Sequence, residues 1–140
     1  FVEDLVVEQA GLGVDQYGHV VALRPFMGVL GMPPPEPGEH STTPPRRWGG
    51  NLDCRELRAG ATIILPVEHD GGGLYLGDCK ALMGDGEIVA PPEVGALVTA
   101  SAEPRERPTS FEWPRIESTG CLTTTSPAAS ESPRRRGPTM

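Results

Sequence analysis

Ala61-Thr62-Ile63-Ile64-Leu65-Pro66-Val67, then Glu68-His69-Asp70-Gly71-Gly72-Gly73, then Leu74-Tyr75-Leu76, is the run that decides the fold class. A short apolar stretch with β-branched residues reads as a strand. The glycine triplet tolerates positive φ, so the stretch reads as a hairpin in which 74–76 returns as the partner strand and ends at Gly77-Asp78. Working outward, short apolar runs recur between glycine and proline breaks, at Leu5–Glu8, Val20–Leu23, Phe26–Met32, Glu87–Val89 and Gly95–Ala102. Gly11-Leu12-Gly13 and Tyr17-Gly18-His19 read as turns, and the proline-rich stretch from Pro33 to Arg47 as a loop over the surface. Many short strands at regular spacing predict a mainly β protein, a β-sandwich or jelly-roll-like domain with long Pro/Gly-rich loops.

Composition agrees. The chain has 140 residues, enough for one domain and one modest core. Its 18 glycines and 16 prolines, about a quarter of the sequence, exclude long helices. No apolar run approaches the roughly eighteen residues of a bilayer-spanning helix, so a membrane role is not expected. Residues 1–100 carry 14 acids against 6 bases, whereas 101–140 carry 5 against 6. A body with that charge repels phosphate, so nucleic acid is not an expected partner, and Arg134–Arg136 reads as a solvated terminus. Cys54, Cys79 and Cys121 lack CxxC spacing and read as small buried thiols in a reducing, cytoplasmic setting. The sequence opens at Phe1 directly into a strand-like run, which reads as a fragment of a longer protein. Residues 1–103 are expected to form the β domain, 104–117 a segment that docks on it, and 118–140 a disordered tail.

Asp53, Asp78, Asp85 and Glu87 lie beside predicted turns at strand ends, where a sheet can present carboxylates to a cleft without burying unpaired charge. Turn chemistry alone also accounts for Asp-Gly pairs, since Asp bonds its own backbone and Gly permits left-handed geometry. His19, His40 and His69 share no ligand spacing and read as surface residues. The Gly84-Asp85-Gly86-Glu87 turn lacks the strand-to-helix context of a phosphate loop.

Taken together, Trp48-Gly49-Gly50-Asn51-Leu52-Asp53, the strand at 61–67, and Gly77-Asp78-Cys79-Lys80-Ala81-Leu82-Met83-Gly84-Asp85-Gly86-Glu87 resemble the core signature of the acetamidase/formamidase family. Arg24-Pro25-Phe26-Met27-Gly28-Val29-Leu30-Gly31 resembles the segment preceding it. The resemblance runs from about Arg24 to Glu103, with a trace through Trp113-Pro114-Arg115-Ile116. It implies metal-dependent hydrolysis of formamide or a short-chain amide to carboxylate and ammonia, on a β-rich jelly-roll-like fold.

By the same resemblance, Glu87 and Asp78 are the expected catalytic residues and Asn51 and Lys80 the substrate-binding ones. Asp53, Asp78 and Glu87 are the expected ligands of a divalent ion, zinc. One departure stands out: the family's Gly-Asp-x-His-Ala has Lys80 in place of histidine, and an ammonium has no lone pair for a metal. Family members are about twice this length and end in a helical segment that Ser-Pro-Arg sequence replaces here. The missing N-terminal half is therefore an expected partner, self-association through uncovered sheet edges is expected, and the isolated chain is expected to be inactive. The alternative is a non-catalytic β-sandwich module of the same descent that binds a metal or a partner chain.

Overall fold

The structure, a computed structural model, describes residues 2–7, 11–14, 17–85, 87–88, 90–106, 112–118 and 121–124, with 2–7 and 121–124 described by their backbone alone. Among these residues there are ten strands and no helix. They are β1 (Val2–Val7), β2 (Leu12–Val14), β3 (Val20–Ala22), β4 (Phe26–Gly31), β5 (Gly49–Asn51), β6 (Thr62–Ile64), β7 (Tyr75–Lys80), β8 (Val98–Ala102), β9 (Arg115–Ser118) and β10 (Cys121–Thr124). A five-stranded sheet has the order β10-β9-β6-β1-β8, a three-stranded sheet the order β5-β4-β7, and β2 and β3 form a separate hairpin. All pairings are antiparallel.

The two larger sheets share one core, which is what makes the mainly β expectation hold. Met27 and Leu30 of β4 and Cys79 of β7 meet Ile63 of β6 and Ile116 of β9, with Leu57 from the loop after β5. Fully burying a Leu or Ile side chain is worth about 1.5–3 kcal/mol, so this cluster is the main force holding the sheets face to face. β4 is central in its sheet, and Phe26, Met27 and Leu30 are inaccessible to solvent.

Several sequence expectations change at this level. Residues 61–67 and 74–76 do not form a hairpin: β6 pairs with β1 and β9, while β7 pairs with β4 in the other sheet. Pro66 has no N–H to give to a ladder, and β6 ends at Ile64. Gly71, Gly72 and Gly73 all have positive φ, so the glycine triplet serves a crossover between sheets rather than a tight hairpin turn. β7 does not end at Gly77-Asp78 but continues to Lys80. Leu12 and Gly13, read as part of a turn, belong to β2, while Gly18 does turn the chain into β3, with a φ of 87°. Glu87 and Ile88 are outside any strand, and Val89 lies outside the described residues.

The expected surface loop after Met32 is present; a bridge from Arg46 to Gly49 closes its end, and Thr42 O and Pro34 O accept hydrogen bonds from Asn51 and His69. In the docking segment, Pro114 and Ile116 are buried, and Phe111 lies outside the described residues. The expected tail from 118 instead begins with the last residue of β9 and continues into β10, whose Cys121–Thr124 pairs with Arg115–Ser118. Residues 125–140 lie outside the described residues.

Candidate active site

The site is assembled around a missing side chain. The β4–β7 register pairs Met27 with Cys79 and Val29 with Gly77, which sets Gly28 opposite Asp78. On the other side of β4, the N–H groups of Leu52 and Asp53 both donate to the Gly28 carbonyl, at 2.9 and 3.1 Å. Strand β4 is thus gripped on one side by the strand bearing Asp78 and on the other by the turn bearing Asp53. A Cβ on Gly28 would sit 2.7 Å from Asp78 Oδ2 and 2.8 Å from Asp53 Oδ1. Only glycine lets the two carboxylates close over the same point of the backbone.

The backbone carries strain at the same place. Among the described residues, three that are not glycine have positive φ: Asp53 at 38°, Asp78 at 58° and Glu87 at 37°. Left-handed backbone costs a side-chain-bearing residue about 1–2 kcal/mol, less for Asp and Asn, whose short polar side chains bond locally. In mid-strand such a residue re-aims its side chain, as a bulge does. The three strained residues are also the three expected metal ligands, which turn chemistry for Asp-Gly pairs does not account for at a mid-strand Asp78.

Lys80 closes the cluster. It is 4% exposed, and its Nζ donates to Asp78 Oδ1 at 2.9 Å and to Glu93 Oε1 at 3.4 Å. Glu93 is delivered by a chain crossing beside β7, where Ala81 N–H donates to Pro92 O and Val94 N–H to Cys79 O. Burial alone would push the Lys80 pKa down, but its hydrogen bond and charge pairing with Asp78, the Asp53 charge and the bond to Glu93 outweigh it. The ammonium is held above its ordinary range.

Glu87 goes the other way for a carboxyl. Burial first, then the charge of Asp53 and a hydrogen bond with it, raise its pKa, with Lys80 pulling against them. Asp53 Oδ1 is buried and receives no hydrogen from any N–H or hydroxyl.

Asp53, Asp78, Lys80 and Glu87 are therefore neighbours in the structure. Asn51 stands outside this set of contacts; its N–H donates to Thr42 O and ties β5 to the proline-rich loop. Asp85 is solvated and braces the site from outside through Arg55, 2.7 Å away, linking the loop after Asp53 to the one before Glu87. Cys79 is buried, and its thiol pKa is raised by burial and by Asp78, as befits an unreactive core thiol. His40 and His69 bond the backbone oxygens of Glu36 and Pro34. Gly28 and Glu93 were not singled out from sequence: the former looks like any strand glycine, and nothing local announces that Glu93 meets Lys80 from 13 residues away.

The donors bear on the expected divalent ion in two ways. The buried Asp53 Oδ1 facing Asp78 Oδ2 across Gly28 is a pair of oxygens a hard cation would accept. The other Asp78 oxygen, however, already holds an ammonium, and among the described residues no group of three or more His, Cys, Asp or Glu is arranged to ligate a metal. With Lys80 in place, the side chains do not fit a divalent ion.

Residues 36–103 match the model of the acetamidase/formamidase family. A formamidase of Methylophilus methylotrophus is 47% identical over 47 residues, which are 34% of this chain and 12% of that protein. Of solved structures, an acetamidase from Bacillus halodurans superposes with a TM-score of 0.73 at 27% identity, over 86% of this chain and 51% of that one. An acetamidase from Yersinia enterocolitica does so with 0.63 at 30% identity, over 74% of this chain and 31% of that one. The chain thus spans at most about half the length of these relatives.

Proposed function

Because residues 36–103 match the acetamidase/formamidase family model and the chain superposes on solved acetamidases, we propose that this chain supplies one wall of an active site that hydrolyses formamide or a short-chain amide to a carboxylate and ammonia. The observation that carries the reading is the meeting of Asp53 and Asp78 over Gly28 beside a buried lysine, with Glu87 against Asp53, all three carboxylates on left-handed backbone. Local strain of this kind persists where the surroundings hold it, and it concentrates at functional sites.

The side chains divide the work as follows. Asp78 is committed to the Lys80 ammonium, which leaves the Glu87 carboxylate, with its raised pKa, as the general base and then the acid. As water attacks the amide carbon, Glu87 takes its proton; as the C–N bond breaks, Glu87 returns a proton to the departing nitrogen. Asp53 holds that carboxyl in place. Lys80 contributes positive charge near the developing oxyanion. Asn51, at the end of β5, is proposed to meet the substrate.

The zinc expected at Asp53, Asp78 and Glu87 is not part of this reading, because the Lys80 ammonium already holds Asp78; no step above runs through an ion. The remaining length found in the relatives is proposed to supply the opposite wall, so that the 140 residues alone are inactive or nearly so. Self-association and a cytoplasmic setting complete the proposal. The test is ammonia release from formamide and acetamide by this chain, alone and within a polypeptide of the relatives' length. Release that Glu87→Gln abolishes is expected in the longer format. A folded longer protein without release would overturn the reading in favour of a non-catalytic module, the alternative that Lys80 in place of the family histidine favours.

A further inference from the structure

We propose that the Lys80 ammonium is the resident cation of this site, occupying in permanent covalent form the place a divalent ion would take. Side-chain burial and geometry carry the inference. Lys80 is nearly inaccessible, it is 2.9 Å from Asp78 Oδ1, and the cluster it faces contains Asp53, Glu87 and Glu93 as well. A divalent ion held by Asp53 and Asp78 would stand beside a fixed positive charge on the same carboxylate. At contact separations in a partly dry environment, two such like charges repel strongly. Lysine is also a poor substitute for a ligand, because its nitrogen lone pair is taken by a proton.

The chain therefore trades an exchangeable Lewis acid for a hydrogen-bond donor on a tether. The wall needs no metal loading to offset the mutual repulsion of its carboxylates. In this role Lys80 is a positioning residue, since it acts through Asp78. The inference rests on the carboxylate cluster read above as the active site. It is tested by ion binding rather than turnover, so it can fail while the hydrolase reading stands, and the reverse.

The experiment titrates chelator-treated 140-residue protein with zinc near neutral pH by calorimetry, for the wild type and for Lys80→His, Lys80→Met and Lys80→Arg. In parallel, nitrogen-15 NMR follows the Lys80 ammonium, whose buried, hydrogen-bonded protons exchange slowly enough to observe. Zinc should leave that signal unmoved in the wild type. Lys80→His, which adds an imidazole and removes the charge, should bind zinc at least about tenfold more tightly. Lys80→Met should gain a smaller affinity by charge removal alone, and Lys80→Arg should gain none. If the substitutions prevent folding, the wild-type NMR titration decides by itself. Stoichiometric zinc binding that shifts or abolishes the Lys80 signal would overturn the proposal, as would folded Lys80→His protein that binds zinc no better than the wild type.

Discussion

Replacing Gly28 by alanine tests how the site is built, because the expected cost can be worked from distances. The new Cβ would lie 2.7 Å from Asp78 Oδ2, 2.8 Å from Asp53 Oδ1 and 2.8 Å from the Asp78 carbonyl oxygen. The two carboxylates can swing aside, but the carbonyl belongs to β7 and moves only with the strand. Overpacking of this kind costs about 1–3 kcal/mol, against which the lower entropy of the unfolded alanine chain returns about 0.4–1 kcal/mol. A net loss of about 1–2 kcal/mol is expected. Gly77 supplies the control: it lies opposite Val29 on β7, its added Cβ meets nothing within 4 Å, and its φ is not positive. Gly77→Ala should be neutral or stabilising by up to about 1 kcal/mol. Urea denaturation of both variants, with unchanged m-values, measures the difference directly. Equal midpoints for the two would refute the claim that carboxylates crowd Gly28.

Glu87→Gln should lower kcat/KM for formamide by about a hundredfold or more in the full-length format, measured as ammonia release. Glu87→Gly should abolish turnover yet raise the urea midpoint, since glycine relieves the φ of 37° at a cost of roughly 1 kcal/mol or less. Lys80→Met should destabilise the fold by on the order of 2–4 kcal/mol, because it strands a partly buried Asp78 carboxylate. The pH dependence has two limbs. The raised pKa of Lys80 contributes stability that is complete below the ordinary lysine value of 10.5 and is lost as pH rises through the folded-state value. The raised pKa of Glu87 contributes stability at acid pH that declines as pH climbs from the ordinary 4.5 through its folded-state value. Thermal melting against pH should therefore show an acid-side decline that flattens in Glu87→Gln and an alkaline loss that disappears in Lys80→Met. Ile116→Ala should cost about 2–5 kcal/mol in the same melts, since a side chain with no exposure leaves a cavity between the sheets.

The strands that could be read from sequence are those whose own residues decide them. Phe26–Gly31 is apolar enough to be buried on both faces, and Val20–Ala22 is β-branched beside a glycine turn. What stayed hidden depends on distant partners. Whether residues 61–67 and 74–76 pair is set by β1, β4 and β9 competing for the same edges, and a glycine triplet serves a crossover as well as a hairpin. The site residues were legible as motifs, because Asp53, Asp78, Lys80 and Glu87 lie in two conspicuous runs. Their geometry was not. That Asp78 sits in mid-strand with left-handed backbone, and that Lys80 faces inward to Glu93, follow from register and from a chain crossing that no local pattern encodes.

The left-handed backbone at Asp53, Asp78 and Glu87 has a consequence in the genetic code. Aspartate and glutamate codons become glycine codons by changing the second base from A to G. Each of the three carboxylates is therefore one transition away from the residue its backbone prefers. A mutagenised library selected for folding or heat resistance alone should accumulate glycine at these positions, and it would dismantle the carboxylate cluster while improving the scaffold. Engineering this chain for robustness calls for a screen that reads chemistry and stability together, or for holding those three codons fixed.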